Sequence, residues 1–408
     1  MAGILAMILA GGEGSRLFPL TETRTKPAVP FAGNYRLVDF ALNNFVNADL
    51  LKIYVLTQFK SQSLNLHLRK AWRLSNITKS FIEPIPAQQR VNKNWYVGTA
   101  DAIYQNARFI KQHSPEHVCI FGSDHIYKMD VQQMVEHHKQ KGGCLTISAI
   151  RIAKEQAYHF GIIEINDEGR VIGFAEKPAV QDAKTIPGDP DHVLASMGNY
   201  IFATKTLLKE LYADAKDINS SHDFGKDIIP KLFANNDVFV YKLSDNFIQG
   251  EPAIAYWRDV GTIDSYWEAH MDMLRPNPPF SLYNKHWPLH TYHPPLPPAT
   301  FRESTNYITH IAQSFIGAGS YINRYSENSA WGAEFRYFDL GQIDLTDQSG
   351  NPNGSINPNE LVLTGSYALK LSETFSMGVA LKYIRSNLAF NGTAGNTLQP
   401  VNSLKSHL

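Results

Sequence analysis

Leu9-Ala10-Gly11-Gly12-Glu13-Gly14-Ser15-Arg16-Leu17 follows a short apolar run, Ile4 to Leu9. A continuous apolar run of that length reads as a buried parallel strand. Three glycines in four residues let the chain turn sharply after it and approach a ligand with no Cβ in the way. Amides freed by such a turn bind anions, and Arg16 adds a fixed cation with a planar fork of donors. Spacing removes two familiar loops. A P-loop carries Lys-Ser or Lys-Thr after its last glycine, and here Ser15-Arg16 follows Gly14. The dinucleotide fingerprint places a third glycine three residues after the second, and Leu17 stands there. A phosphate loop of a third kind remains, alongside the plainer reading of a surface loop after a strand.

The chain has 408 residues, enough for two or three domains and at least one large core. Lys plus Arg equals Asp plus Glu at 38 each, so no broad charge imbalance points to nucleic acid or a membrane surface. Cys119 and Cys144 both sit in apolar runs and read as small core residues, without metal or disulfide spacing. That usage fits a reducing compartment. With no basic segment before the first apolar run and no apolar stretch of about 18 residues, the expectation is a cytoplasmic location.

From residue 1 to about 275, apolar strand-like runs alternate with amphipathic stretches. Residues 53–56, 118–121, 145–150, 161–165, 171–175 and 238–243 read as strands; 40–47, 100–112 and 131–141 read as helices. That order predicts an α/β domain with a mostly parallel sheet over 1–275. In such sheets ligands sit beyond the carboxyl ends of strands, which gives weight to polar residues there. Eight prolines between Pro276 and Pro298 mark 276–305 as an extended linker laid over a surface by its aromatics. Ile316 and Ile322, six apart with Gly317 after the first, predict one coil of a hexapeptide β-helix over 306–323. From 324 to 408 the pattern changes to period two: Leu361, Leu363, Tyr367, Leu369 and Leu371, then Phe375, Met377, Val379, Leu381 and Tyr383, alternate with small or polar residues. Trp331, Ala333, Phe335 and Tyr337 begin a similar strand. These are hairpin strands near the ~9–11 residues of an outer-membrane barrel, although an amphipathic soluble sheet has the same alternation.

Several stations carry chemistry. Lys26 precedes Pro27 shortly after the glycine loop and is placed to meet a triphosphate. Asp124 follows strand 118–121, and Asp259 lies in Trp257-Arg258-Asp259-Val260-Gly261-Thr262. Each alone is equally an Asx turn or helix cap; together with phosphates they match the way Mg²⁺ is held in phosphoryl-transfer sites. Glu176-Lys177-Pro178 follows strand 171–175, where the lysine suits a second phosphate and the glutamate suits sugar hydroxyls; an exposed charged turn is the plainer reading. Trp95-Tyr96-Val97-Gly98-Thr99 sets aromatics at a helix start, as a binding loop or as a hydrophobic staple.

The stations also occur in a telling order. Gly-Gly-x-Gly-Ser-Arg-Leu, Lys26-Pro27, Gly98-Thr-Ala-Asp-Ala102, Ser123-Asp-His125, Glu176-Lys-Pro178 and Trp257-Arg-Asp-Val-Gly-Thr262 resemble the sugar-1-phosphate nucleotidyltransferases. Pro86-Ala-Gln-Gln-Arg90, Ala195-Ser-Met-Gly198 and Ser220-Ser-His-Asp-Phe-Gly-Lys-Asp227 narrow the likeness to the bacterial glucose-1-phosphate adenylyltransferases, over about residues 3–323. The resemblance implies ATP and glucose 1-phosphate as partners, ADP-glucose and diphosphate as products on the way to glycogen, and Mg²⁺ as cofactor. It implies catalytic roles for Arg16, Lys26 and Asp124, and nucleotide contacts from Gly11, Gly12, Gly14, Ser15, Gln88, Gly98 and Thr99. It places Tyr96, Gly161, Glu176, Lys177 and Ser196 at glucose 1-phosphate, and Asp124 and Asp259 at the metal. Another nucleotide or sugar, or a catalytically silent regulatory subunit, are the rival readings.

The family carries a multi-coil left-handed β-helix that helps build a homotetramer; here one coil is read, so neither the tetramer nor its usual activator is expected. Thr23, beside Arg24, also stands where activated relatives carry a basic residue. Residues of about 331–390 resemble instead an inner portion of a PorV-like outer-membrane β-barrel protein of type IX secretion. The change of pattern implies a join of two unrelated sequences near 324–330, with a poorly folded tail.

Overall fold

The computed structural model describes residues 3–74, 79–89, 94–235, 237–294, 306–309, 315–326, 328–339, 343–346, 352–372 and 375–387. Two compact units divide the chain, Met1–Pro294 and Pro295–Leu408.

In the first unit, the strand Ile4–Ala10 runs through the middle of a nine-stranded sheet. It pairs in parallel with Lys52–Thr57 on one side and His117–Gly122 on the other, and Phe81–Pro86 extends the parallel set. Leu5 and Met7 face one apolar layer while Ala6 and Ile8 face the other, all of them buried. Burial on both faces is why this strand is apolar at every position and shows no alternation. Helices Leu37–Asn47, Gln62–Ala71 and Val131–Lys141 fill one layer. Thr99–Gln105, Ala107–His113, Thr204–Asp214 and Ile229–Asn235 fill the other. Local chemistry sets the helix ends: Asp130 accepts from the Gln132 amide to start one helix, and Gly142, at φ 66°, ends it in the left-handed region.

Beyond His117–Gly122 the sheet becomes mixed. His192–Ala203 is antiparallel to both His117–Gly122 and Leu145–Ala153, whereas Val238–Lys242 joins Leu145–Ala153 in parallel. Gly161–Ile165 and Val171–Glu176 form an antiparallel pair at the edge. The helix expected over 100–112 is two helices. At Asn106 the chain leaves helical geometry, and its side-chain amide donates to the Tyr96 hydroxyl at 2.8 Å and to the Ala102 carbonyl at 2.8 Å.

Residues 276–294 strap onto this unit, burying Phe280, Trp287 and Leu289. Asn43 exchanges hydrogen bonds with the His290 backbone, at 2.9 and 2.7 Å, and Asn47 donates to the Pro288 carbonyl at 2.9 Å. Thr291 donates at 2.7 Å to Asp39, a buried carboxylate that also meets His67 and Trp72. The remainder of the expected linker, 295–305, lies outside the described residues.

The second unit is an antiparallel sheet ordered Asn306–Thr309, Phe315–Ser326, Ser329–Asp339, Asn359–Lys370 and Ser376–Asn387. Of residues 306–323, expected as one β-helix coil, the described ones, 306–309 and 315–323, lie in strands of this sheet. Phe315–Ser326 pairs along nearly its whole length with Ser329–Asp339, register shifting only beside Ser326. A lone coil has no neighbouring coil to stack on, whereas a hairpin satisfies its backbone across the ladder. A separate small hairpin joins Ile343–Thr346 to Pro352–Ile356. Among the described residues no helix is long and apolar enough to cross a membrane, a statement that does not bear on β-strands.

Candidate active site

The site of the first unit forms where the parallel strands end. Leu9 and Ala10 lead into the glycine loop, Gly122 into Ser123 and Asp124, and Thr57 into Gln58. Gly14 takes φ 66°, and a Cβ there would come within 2.9 Å of the Lys26 Cβ, so only glycine lets loop and lysine pack together. Thr21 pins the turn by donating to the Gly14 carbonyl at 2.9 Å. Ser123, buried, donates to the Leu9 carbonyl at 2.6 Å and ties the two strand ends.

Two cavities meet here. One, of about 560 Å³, is walled by Gly11, Gly12, Gln58, Tyr96, Gly98, Thr99 and Asp223. The other, of about 420 Å³, is walled by Arg16, His125, Gly161, Lys177, Ser196, Trp257 and Asp259. Lys26, Asp124, Glu176, Gly198 and Tyr200 line both. At this seam the Lys26 ammonium contacts Asp124 at 2.8 Å and Asp259 at 3.0 Å. Burial alone would lower the Lys26 pKa, but the two carboxylates outweigh it and raise it above the ordinary lysine value. Burial would likewise raise Asp124, yet Lys26 and His125 hold it well below the usual carboxylate range. Asp259 arrives from the short strand Trp257–Asp259, antiparallel to His125–Tyr127, which sets it directly opposite His125. The His125 Nε2 stands 3.6 Å from Asp124 and 3.8 Å from Asp259. Asp124, His125 and Asp259 offer ligand atoms within 4.8 Å of one another. Their carboxylate oxygens suit a hard divalent cation.

A bulge builds the wall of the second cavity. His192–Ala203 shifts register between Ser196 and Tyr200, with Gly198 at φ 71°, so Ser196 and Gly198 both reach the cavity. Gly161 must lack a Cβ, which would meet the Phe174 ring at 2.5 Å and Glu176 at 2.9 Å. Glu176 is pushed up by burial, against the pull of Lys177 beside it at 3.5 Å. Lys177 holds φ 50°, an uncommon conformation for a residue with a side chain, at the end of its strand.

Among the residues expected at the nucleotide, Gly11, Gly12, Gly98 and Thr99 share one cavity. Gly98 lies so close to the His222 and Ser221 carbonyls that a Cβ would overlap them. Thr99 donates to Asp223 at 2.9 Å and accepts from the Phe224 amide at 3.0 Å. Ser15 stands in the turn behind the loop, outside both cavities. Gln88 also lies outside them, with Arg108 at 3.5 Å. Tyr96, expected at glucose 1-phosphate, lines the glycine-loop cavity together with Glu176, where Gln58 fixes its backbone and Asn106 its hydroxyl. Gln58 and Tyr200 line the cavities without having been marked in the sequence, and His125 and Asp223 were quoted there without a role. Gln58 follows a strand end by the same rule that marked Asp124.

A parallel sheet ending in a glycine loop, two carboxylates and paired cavities defines a nucleotidyltransferase, and the Nucleotidyl transferase family model matches residues 5–275. The chain belongs to that family and, within it, to the glucose-1-phosphate adenylyltransferases. It is 64% identical over 322 residues to glucose-1-phosphate adenylyltransferase 1 of Vibrio vulnificus (strain YJ016), covering 79% of each chain. It is 63% identical over 322 residues to the enzyme of Aliivibrio fischeri (strain ATCC 700601 / ES114), again covering 79% of each. To the enzyme of Anaeromyxobacter sp. (strain Fw109-5) it is 48% identical over 328 residues, 79% of this chain and 80% of that one. Residues 302–403 match a different model, Type IX secretion system protein PorV.

Proposed function

We propose that the first unit transfers an adenylyl group from ATP to α-D-glucose 1-phosphate, releasing diphosphate and forming ADP-glucose. The observation that carries this reading is the seam, where Lys26, Asp124 and Asp259 converge between two cavities. A triphosphate nucleotide fits the glycine-loop side, with Gly11 and Gly12 amides on its phosphates and the base toward Gln58, Gly98 and Thr99. Glucose 1-phosphate fits the other side, with Lys177 at its phosphate and Glu176 and Ser196 at its hydroxyls.

The sugar phosphate is already an anionic nucleophile, so no strong general base is needed. Its oxygen attacks the α-phosphorus as the bond to the β-phosphate oxygen breaks. Arg16 and Lys26 then meet charge gathering on the departing diphosphate, and the two walls hold attacking and leaving oxygens in line. Mg²⁺ on Asp124 and Asp259 would add a hard positive charge at the triphosphate. Glu176, whose pKa burial raises above the ordinary glutamate value, can accept from a sugar hydroxyl.

Diphosphate release measured with glucose 1-phosphate and each of ATP, UTP and dTTP tests the reading. ATP is expected to be strongly preferred; a preference for UTP or dTTP would replace the nucleotide, and no release with any would favour a silent subunit.

A further inference from the structure

Lys26 does more at the seam than a triphosphate contact requires. Its ammonium lies 2.8 Å from Asp124 and 3.0 Å from Asp259, bridging the two carboxylates proposed for the metal. Only 10% of the lysine side chain is exposed, and its backbone is wedged by Gly14 of the phosphate loop. Bringing two carboxylates together in a partly buried pocket needs a cation between them. Here the chain supplies that cation itself. A divalent ion and this ammonium cannot occupy one gap together, because like charges at that separation repel strongly away from bulk water.

We propose that Lys26 is an internal stand-in for the divalent cation, competing with it for Asp124 and Asp259 until a triphosphate draws the lysine away. The inference rests on the metal role proposed for those carboxylates. Lys26 lines both cavities, so a short rotation of its side chain exchanges the carboxylates for anionic oxygens over Gly11 and Gly12. The ammonium then keeps a partner in either state, as a buried charge must. Two consequences follow. The free protein binds divalent cation weakly, and nucleotide and metal binding reinforce one another, because the nucleotide removes the competitor.

Binding of Mn²⁺ alone to the full chain, followed by its electron paramagnetic resonance signal without nucleotide, tests this. Four proteins suffice: the unaltered chain, Lys26→Met, Lys26→Arg and Lys26→Met combined with Asp124→Asn, each checked for folding by circular dichroism. Lys26→Met is expected to bind Mn²⁺ roughly tenfold more tightly or better than the unaltered chain. Lys26→Arg keeps the charge and is expected to remain weak. Adding Asp124→Asn to Lys26→Met is expected to abolish the gain. Equal Mn²⁺ affinity in Lys26→Met and the unaltered chain overturns the stand-in role and leaves the metal reading standing. A gain that survives Asp124→Asn sinks the metal reading itself. Should Lys26→Met fail to fold, Lys26→Gln carries the same comparison, because its amide fills similar space without charge.

Discussion

The two units treat apolar strand residues in opposite ways. In Ile4–Ala10 and His117–Gly122 nearly every side chain is buried, since helices cover both faces of the sheet. In Ser376–Asn387 the large apolar residues Met377, Val379, Leu381 and Tyr383 share one face, and Val379 and Leu381 are 63% and 77% exposed. The first arrangement fixes strand ends firmly enough to aim polar groups from several strands at one point. The second builds a ladder of backbone hydrogen bonds with little packed against it among the described residues. Chemistry therefore belongs to the first unit, and the largest effects of substitution should be found there.

Asp124→Ala should show the largest of them. Removing one carboxylate of the seam takes away an electrostatic element aimed at the reacting phosphates, for a loss of about two to three orders of magnitude in turnover. Circular dichroism and thermal unfolding should stay near those of the unaltered chain, as Asp124 is outside the apolar core. Glu334→Ala, which removes the partner of Arg336 in the second unit, should leave turnover unchanged. Comparable rates in the two variants would break the contrast between the units.

Stability should divide the same way. Phe121 is fully buried and packs its ring edge-to-face with Phe45, centroids 4.7 Å apart, joining the strand His117–Gly122 to the helix Leu37–Asn47. Phe121→Ala should cost about 3–5 kcal/mol, the sum of lost transfer energy and a cavity the sheet cannot close. Guanidinium titration followed by tryptophan fluorescence reads it as a lower midpoint with unchanged slope.

A third effect concerns acid. His138 is buried with its Nδ1 at 2.8 Å from the Thr146 hydroxyl and its ring edge-on to His117 at 4.8 Å. Burial, aided by His117, His137 and Lys139, pulls its pKa down to about 4. The unfolded chain takes up that proton near pH 6.5, so between 6.5 and 4 the unfolded state binds more protons and stability falls as pH falls. The contribution is complete above pH 6.5 and shrinks by about 2–3 kcal/mol on reaching pH 4. Urea midpoints from pH 7.5 to 4.5 should record this, with a flatter profile in His138→Gln.

Much of the first unit could be read from the chain because its signals are local. Strand runs 53–56, 118–121 and 161–165 appear within a residue or so of their positions, since burial on both faces leaves no polar interruption. The strand His192–Ala203 was not read, because the bulge that brings Ser196 and Gly198 to the site also breaks its apolar pattern. The split at Asn106 answers to Tyr96, ten residues away, and helix periodicity carries no trace of that partner. The placing of Tyr96 at the glycine-loop cavity has a related cause: its clamp, Gln58, is distant in sequence. In the second unit, one spacing of six between isoleucines suggested a coil, but the alternation on both sides of it governs the pairing.

Leu381→Ala should show the smallest effect and so gives the sharpest test of the second unit. Leu381 faces Gly365 across the ladder, and at 77% exposure its side chain loses little water on folding. Substitution at such a place is expected to change stability by no more than about 0.5 kcal/mol. Alanine also lowers the apolar character of an open strand, so aggregation on heating should decrease even while the midpoint holds. A loss of about 2 kcal/mol would be the cost of emptying a packed site and would mean that this face is covered in solution. The contrast between a core buried on both sides and a sheet open on one would then fail at the second unit, while the first would keep both its core and its site.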